Sequence, residues 1–283
     1  MLKEQRTLQH EGINKEYAES ELVLFGIPFD GTVSNRPGTR FGPRGIRREL
    51  DGLETYSPYL NRDLDDYLIC DLGDIELNFG NTKETLHRIQ KETAEIVSDG
   101  KKTLALGGEH LVSYPLIELF QKKYPSLVVI HLDAHADLRD DYLGESLSHA
   151  TVMRRALSCL EPGSLYQFGI RSGTREEFSF AKENTHFYPY CLNEMPEVLK
   201  TLGDLPLYVS LDLDVLDPSA FPGTGTPEPG GVSFKELLRA IHALVGCNVV
   251  GADVVELSPQ YDVSGVSDAT AAKVVRELAL AML

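Results

Sequence analysis

Short apolar runs recur along this chain, each continuous rather than alternating with polar residues. They cover Glu21–Ile27, Tyr67–Cys70, Thr103–Leu106, Ser126–Ile130, Ser164–Gly169, Thr185–Tyr188, Leu207–Leu213 and Asn248–Val255. A strand that is apolar on both faces must be covered on both faces. The runs therefore predict a mostly parallel sheet between two layers of helix. Helical stretches fall between them. In 81–98, Leu86, Ile89, Thr93, Ile96 and Val97 recur at helical spacing, with Asn81 or Thr82 as cap and Gly100 as stop. Others are expected from Pro43 to Leu50, near 114–123, from about 148 to 159, and over 174–184, 193–201, 233–245 and 264–282. Residues 1–20 are polar and read as a surface arm or short helix. The expected fold is a three-layer α/β/α domain with a central, mostly parallel sheet of about eight strands, spanning 1–283 as one unit. A closed eight-stranded barrel satisfies the same periodicity.

Three of the runs end in side chains that bind cations. LALGGEH ends at His110, VVIHLDAHAD ends at Asp137, and SLDLD runs from Ser210 to Asp214. A spacing of two puts side chains on one face of an extended chain. Asp133, His135 and Asp137 are thus expected to share a face, and so are Asp212 and Asp214. Carboxylates gathered at strand ends are costly to bury without compensating charge. Two histidines and four aspartates are too many for one ordinary metal site. They suit two ions roughly 3.5–4 Å apart. The set holds imidazole and carboxylate but no thiolate, which fits Mn²⁺ better than structural zinc or Mg²⁺. For one such motif alone, a capping or structural ion pair explains as much. His131 shares the spacing but lies deeper in its strand, and reads as core or outer support.

The motifs extend well beyond these residues. GGEH stands at 107–110, DAHAD at 133–137, and SLDLDVLDPSAFPGTGTPEPGG at 210–231. IPFDGTVSNRPGTRFGPRGIR lies near the N-terminus, FGIRSGTREEF starts at Phe168, and ADVVELSP at Ala252. On these the chain resembles the ureohydrolase family, the arginases and agmatinases, over nearly its whole length, and its agmatinase branch most. The resemblance implies a dinuclear manganese site, two Mn²⁺ per subunit, whose bridging hydroxide hydrolyses a guanidinium group to an amine and urea. It implies that His110, Asp133, Asp137 and Asp212 hold one ion. Asp133, His135, Asp212 and Asp214 would hold the other, with Asp133 and Asp212 bridging. Asp137 would also accept a hydrogen bond from the hydroxide. His149, in LSHAT, would shuttle protons, and Glu256, in VVELSP, would grip the guanidinium; both would touch substrate. The implied reaction is agmatine to putrescine and urea, a step of polyamine biosynthesis. Guanidinobutyrate, arginine or formiminoglutamate are the alternatives for the same metal centre. The resemblance also implies a homo-oligomer, a trimer or hexamer.

Other features bear on the substrate. The loop LRDDYLGESLS after Asp137 carries Asp140, Asp141 and Glu145, with Arg139 its only base. Such a loop is expected to welcome a primary ammonium and repel a carboxylate; as solvated loop residues its acids do not bear on the substrate. Arg40, Arg44 and Arg47 favour a carboxylated substrate if they reach the pocket; as ion-pair partners they do not bear on it. With 27 basic and 43 acidic residues the formal charge is −16, which disfavours nucleic acid and anionic membrane as partners and suits a small cationic guanidine substrate. The four cysteines form no CxxC pair, and neither a secretory leader nor an apolar membrane span is seen in the sequence. The expected location is the cytoplasm.

Overall fold

The structure is a computed structural model that describes residue 2, residues 8–78 and residues 80–283. The arm expected over 1–20 lies partly outside the described residues. Its described part forms no helix beyond residue 8; Leu8 bridges Asp71 and the chain folds back between His10 and Ile13. Along the chain lie β1 Leu22–Ile27, α1 Gly42–Leu50, β2 Tyr56–Ser57, β3 Arg62–Asp63, β4 Ile69–Asp74, α2 Thr82–Ser98, β5 Lys102–Gly107, α3 Ser113–Lys123 and β6 Val128–Leu132. They continue with α4 Val152–Leu157, β7 Leu165–Phe168, α5 Arg175–Asn184, β8 His186–Tyr188, α6 Met195–Leu202, β9 Leu207–Asp212, α7 Phe234–His242, β10 Val249–Val255 and α8 Val266–Met282.

Eight strands form one parallel sheet in the order β4-β1-β5-β10-β9-β6-β7-β8. It is open, with β4 and β8 at its edges, so the barrel is excluded. The two sheet faces bury separate cores. On β1, Leu22 and Leu24 pack with Ile46 of α1, Ile241 of α7 and Leu278 of α8. Val23, Phe25 and Ile27 point the other way, to Ile89 of α2, Phe120 of α3 and Met153 of α4. Burying each such side chain contributes about 1.5–3 kcal/mol, which is why the runs are apolar at every position.

Local chemistry sets the element ends. The Asn81 side chain accepts the Glu84 amide at 3.1 Å and starts α2. Thr174 with Glu177, and Ser233 with Glu236, form capping boxes at α5 and α7. Strand β4 runs four residues past the apolar run ending at Cys70, because the buried Asp71 is neutralised by Arg47 of α1 at 2.7 Å. The small β2–β3 hairpin was not expected; two-residue strands leave no periodicity to read.

The chain lays down β5, jumps to β6, and returns to place β9 and β10 between them. The carboxyl ends of these four adjacent strands therefore open on one crevice, where ligands bind in sheets of this kind.

Candidate metal centre

Each strand end delivers its residues through a tight irregularity. Glycine is required at 108, since a Cβ there would sit 1.9 Å from the Phe29 carbonyl oxygen. That close crossing brings residues 29–34 over His110. Strand β6 stops at Leu132, so the expected extended face does not form. Asp133, His135 and Asp137 converge instead through a turn in which Asp137 adopts a left-handed φ of 53°. Asp212 ends β9 and Asp214 lies in the 3-10 turn that follows. Glu256 also has positive φ, 66°. For a non-glycine residue such a backbone costs on the order of 1–2 kcal/mol and tends to mark functional sites.

His110 Nδ1 is the centre of the first group. It lies 3.0 Å from Asp133 Oδ2, 3.2 Å from Asp137 Oδ2 and 3.2 Å from Asp212 Oδ2. Its other nitrogen faces Ser210 Oγ at 2.9 Å, and that hydroxyl donates to Asp253 at 2.9 Å. A hydroxyl that donates to Asp253 accepts from the ring, so Nε2 carries a proton, and Nδ1 presents a lone pair whenever the ring is neutral. Nδ1 is buried without a hydrogen-bond partner. A lone pair and three carboxylate oxygens around one point fit a bound cation. The second group centres on His135 Nδ1, 3.0 Å from Asp214 Oδ2 and 3.5 Å from Asp133 Oδ1. Asp133 thus offers one oxygen to each group. The donor set is nitrogen and oxygen throughout, as transition-metal chemistry with hard ligands requires.

Electrostatics point the same way. Burial opposes charge on His110, yet its contacts with Asp133, Asp137 and Asp212 raise its pKa well above the usual histidine value. Burial and the Asp133 carboxylate push Asp137 up to about 7. Burial, Asp214 and Asp133 raise Asp212 further. Protons do here what divalent ions would do better. Metal uptake would release them and so depend on pH.

His131 lies beside this cluster. Its Nδ1 accepts from the Gln167 amide at 3.1 Å, and the Gln167 nitrogen also donates to the Ala136 carbonyl at 2.9 Å. Nε2–H of His131 then donates to Asp133 Oδ2 at 2.9 Å. Both ring nitrogens are engaged, and the ring orients Asp133.

A pocket of about 230 Å³ stands over the two groups, lined among others by His149, Glu256, Ser34, Arg139 and Tyr142. Glu256 Oε1 accepts the His110 amide at 2.7 Å. Burial, and then the Glu109 and Asp214 carboxylates, raise its pKa well above the carboxylate range. His149 Nδ1 lies 2.9 Å from the Thr32 carbonyl oxygen and Nε2 lies 3.3 Å from Ser34 Oγ. Burial outweighs that backbone hydrogen bond, and with the positive His135, His110 and Arg139 it lowers the His149 pKa to about 4.

The loop acids do not behave as expected. Asp140 pairs with Arg155 at 2.5 Å, away from the pocket, and Asp141 accepts the Gly144 amide at 3.0 Å. Their carboxylates serve loop geometry, and the loop lines the pocket with Arg139 and Tyr142 instead. Arg40 and Arg47 are committed to Asp30 and to Asp71 with Asp74. Three residues escaped the sequence reading. Thr32 and Glu109 hold His149, as described below. Arg171, of the FGIRSG motif, donates to the carbonyls of Asp214 at 2.7 Å and Val215 at 3.1 Å and fixes the long loop after β9. All three lie in motifs quoted above, GGEH, IPFDGTVSN and FGIRSG, but nothing in those motifs assigned them a role.

The sequence model of the Arginase family matches residues 20–281. The chain is 50% identical to the agmatinase of Bacillus subtilis over 269 residues, 94% of this chain and 93% of that one. It is 36% identical to the human mitochondrial guanidino acid hydrolase, over 93% of this chain and 78% of that one. A crystal structure from Clostridium difficile superposes with a TM-score of 0.92 at 48% identity, covering 94% of this chain and 98% of that one. Fold and site define a metal-dependent hydrolase of the α/β/α type. The chain belongs to the Arginase family.

Proposed function

We propose that this chain is an amidinohydrolase of the agmatinase branch and hydrolyses agmatine to putrescine and urea. The reading rests on its 50% identity to an agmatinase over 94% of the chain, together with the buried His and Asp cluster beneath the pocket. His110, Asp133, Asp137 and Asp212 would hold one divalent ion, and Asp133, His135, Asp212 and Asp214 the other. When bound, two Mn²⁺ would supply the Lewis acidity that makes water nucleophilic at neutral pH.

The chain's own side chains do the rest. Glu256 receives the guanidinium: one oxygen already accepts the His110 amide, and the remaining lone pairs match the parallel N–H groups of that planar cation. Its raised pKa falls once a cation lies against it. Asp137 accepts a hydrogen bond from the attacking water. His149 presents the Nε2 lone pair to the pocket, takes up there the proton released by the attacking water, and passes it to the departing amine, which must not leave as an anion.

Arg139 favours a second reading. It lies on the pocket wall with its guanidinium 4.6 Å from the Tyr142 ring centroid and its Nε 3.5 Å from Glu177 Oε2, so a substrate carboxylate would share it with Glu177. A guanidino acid such as guanidinobutyrate would use it; arginine and formiminoglutamate also carry a carboxylate. Urea release by Mn²⁺-loaded protein with agmatine, arginine and guanidinobutyrate, and formamide release with formiminoglutamate, separate the readings. Preference for agmatine supports the first, and preference for guanidinobutyrate replaces it with the second. We also take 1–283 as one domain of a cytoplasmic trimer or hexamer, which light scattering of the purified protein would test.

A further inference from the structure

His149 must present a particular nitrogen at a particular place to serve as a proton carrier, and its own helix does not ensure this. The ring is gripped from outside, by residue 32. Its Nδ1 lies 2.9 Å from the Thr32 carbonyl, and its backbone amide lies 3.1 Å from Thr32 Oγ1. A carbonyl only accepts, so Nδ1 carries the proton and Nε2 keeps its lone pair for the pocket. Thr32 is half-buried in the irregular segment between β1 and α1 and is itself pinned. Glu109, fully buried, accepts the Thr32 amide at 2.8 Å and a short hydrogen bond from the Thr32 hydroxyl. A carboxylate that accepts both groups of one threonine fixes the backbone and the hydroxyl rotor together. With its hydrogen committed to Glu109, Thr32 Oγ1 offers a lone pair to the His149 amide.

We propose that Thr32 and Glu109 are positioning residues for His149, setting its tautomer and the direction of its Nε2. The inference rests on the proton role given to His149 above. Valine at 32 keeps the shape and the carbonyl but loses both hydroxyl contacts. Glutamine at 109 has one acceptor oxygen for the two Thr32 donors and places an NH₂ against the other.

The test uses Mn²⁺-loaded Thr32→Val, Thr32→Ser, Glu109→Gln, His149→Asn and the Thr32→Val/His149→Asn double variant. Steady-state turnover of agmatine, metal content and thermal midpoint are measured for each. The ¹⁵N shifts of the His149 ring are read in metal-free protein. We expect Thr32→Val and Glu109→Gln to lower kcat about tenfold, as for groups supporting a reacting residue, with KM and metal content unchanged. Thr32→Ser restores the rate. Thr32→Val adds nothing in the His149→Asn background. The ring shifts move from a single Nδ1–H tautomer toward a mixture in Thr32→Val. An unchanged kcat in Thr32→Val, an equal loss in the His149→Asn background, or losses that track metal content would overturn the inference alone. Full turnover by His149→Asn would overturn the proton role as well.

Discussion

At the β4 edge of the sheet, Asp71 and Asp74 face the Arg47 guanidinium; at its centre, Asp133, Asp137, Asp212 and Asp214 face His110 and His135. Both groups contain buried carboxylates; at the edge it is Asp71 within β4, with the exposed Asp74 at the strand end. The edge group is complete. Arg47 grips Asp71 through two nitrogens, at 2.7 and 2.9 Å, and reaches Asp74 with a third. Burial opposes its charge, but Asp71 and Asp74 hold it protonated. Among the described residues no arginine or lysine pairs with the central carboxylates, and the histidines take up protons to offset the charge. A fold that needed only stability would have closed the centre as it closed the edge. The difference separates an internal ion pair from a vessel for an external cation.

That contrast can be broken in stages. Asp133→Ala or Asp214→Ala should cut urea release by more than about 100-fold, beyond the range of outer-shell changes, while the far-UV spectrum is retained. Arg47→Met should leave the site's chemistry alone but strand the buried Asp71 carboxylate. A loss of about 3–5 kcal/mol is expected in urea unfolding, and adding Asp71→Leu should recover part of it. A preserved midpoint in Arg47→Met would remove the distinction between edge and centre.

Asp137→Asn should change sign with metal. The Asp137 pKa is raised to about 7, so the folded state holds a proton that the unfolded chain releases near 4. Stability is therefore lost as pH rises from about 4 to 7. At pH 8 without metal, the variant should melt about 2–4 °C higher, the shift for roughly 1 kcal/mol in a chain of this size. With Mn²⁺ it should melt lower. A gain in both states would argue that Asp137 holds no ion.

The smallest effect lies away from both groups. At the start of α8, burial works against the Asp262 carboxylate, but hydrogen bonds from Ser264 and Ser267 hold its pKa at about 2. Its contribution is present above about 4 and is lost as pH falls toward 2. Asp262→Asn should cost on the order of 1 kcal/mol at pH 6 and progressively less below pH 4, by urea titration.

Much of this was legible before any coordinates. Continuous apolar runs required a covered parallel sheet, and the three ligand-bearing runs lie within four neighbouring strands of it, with β10 between β5 and β9. Register at the strand ends was not legible. The alternation rule assumed that DAHAD stays extended, whereas β6 stops at Leu132 and Asp137 turns left-handed. Charge counting also misled, because Asp140 finds its partner in Arg155 of the following helix and Asp141 turns back on the Gly144 amide of its own loop. Thr32 is 117 residues from His149 in sequence. Nothing near either residue announces the other.

The order of the strands has a further consequence, for assembly. His110 leaves β5 and Asp133 leaves β6, and these strands do not touch; β10 and β9 lie between them. A chain folded only through β8 would hold His110 on one side, and Asp133, His135 and Asp137 on the other, of a gap two strands wide. No ion could bridge them until residues 207–255 had threaded into the middle of the sheet. Full coordination therefore reports that the last insertion has taken place, and metal stabilises the finished sheet without rewarding a partly built one.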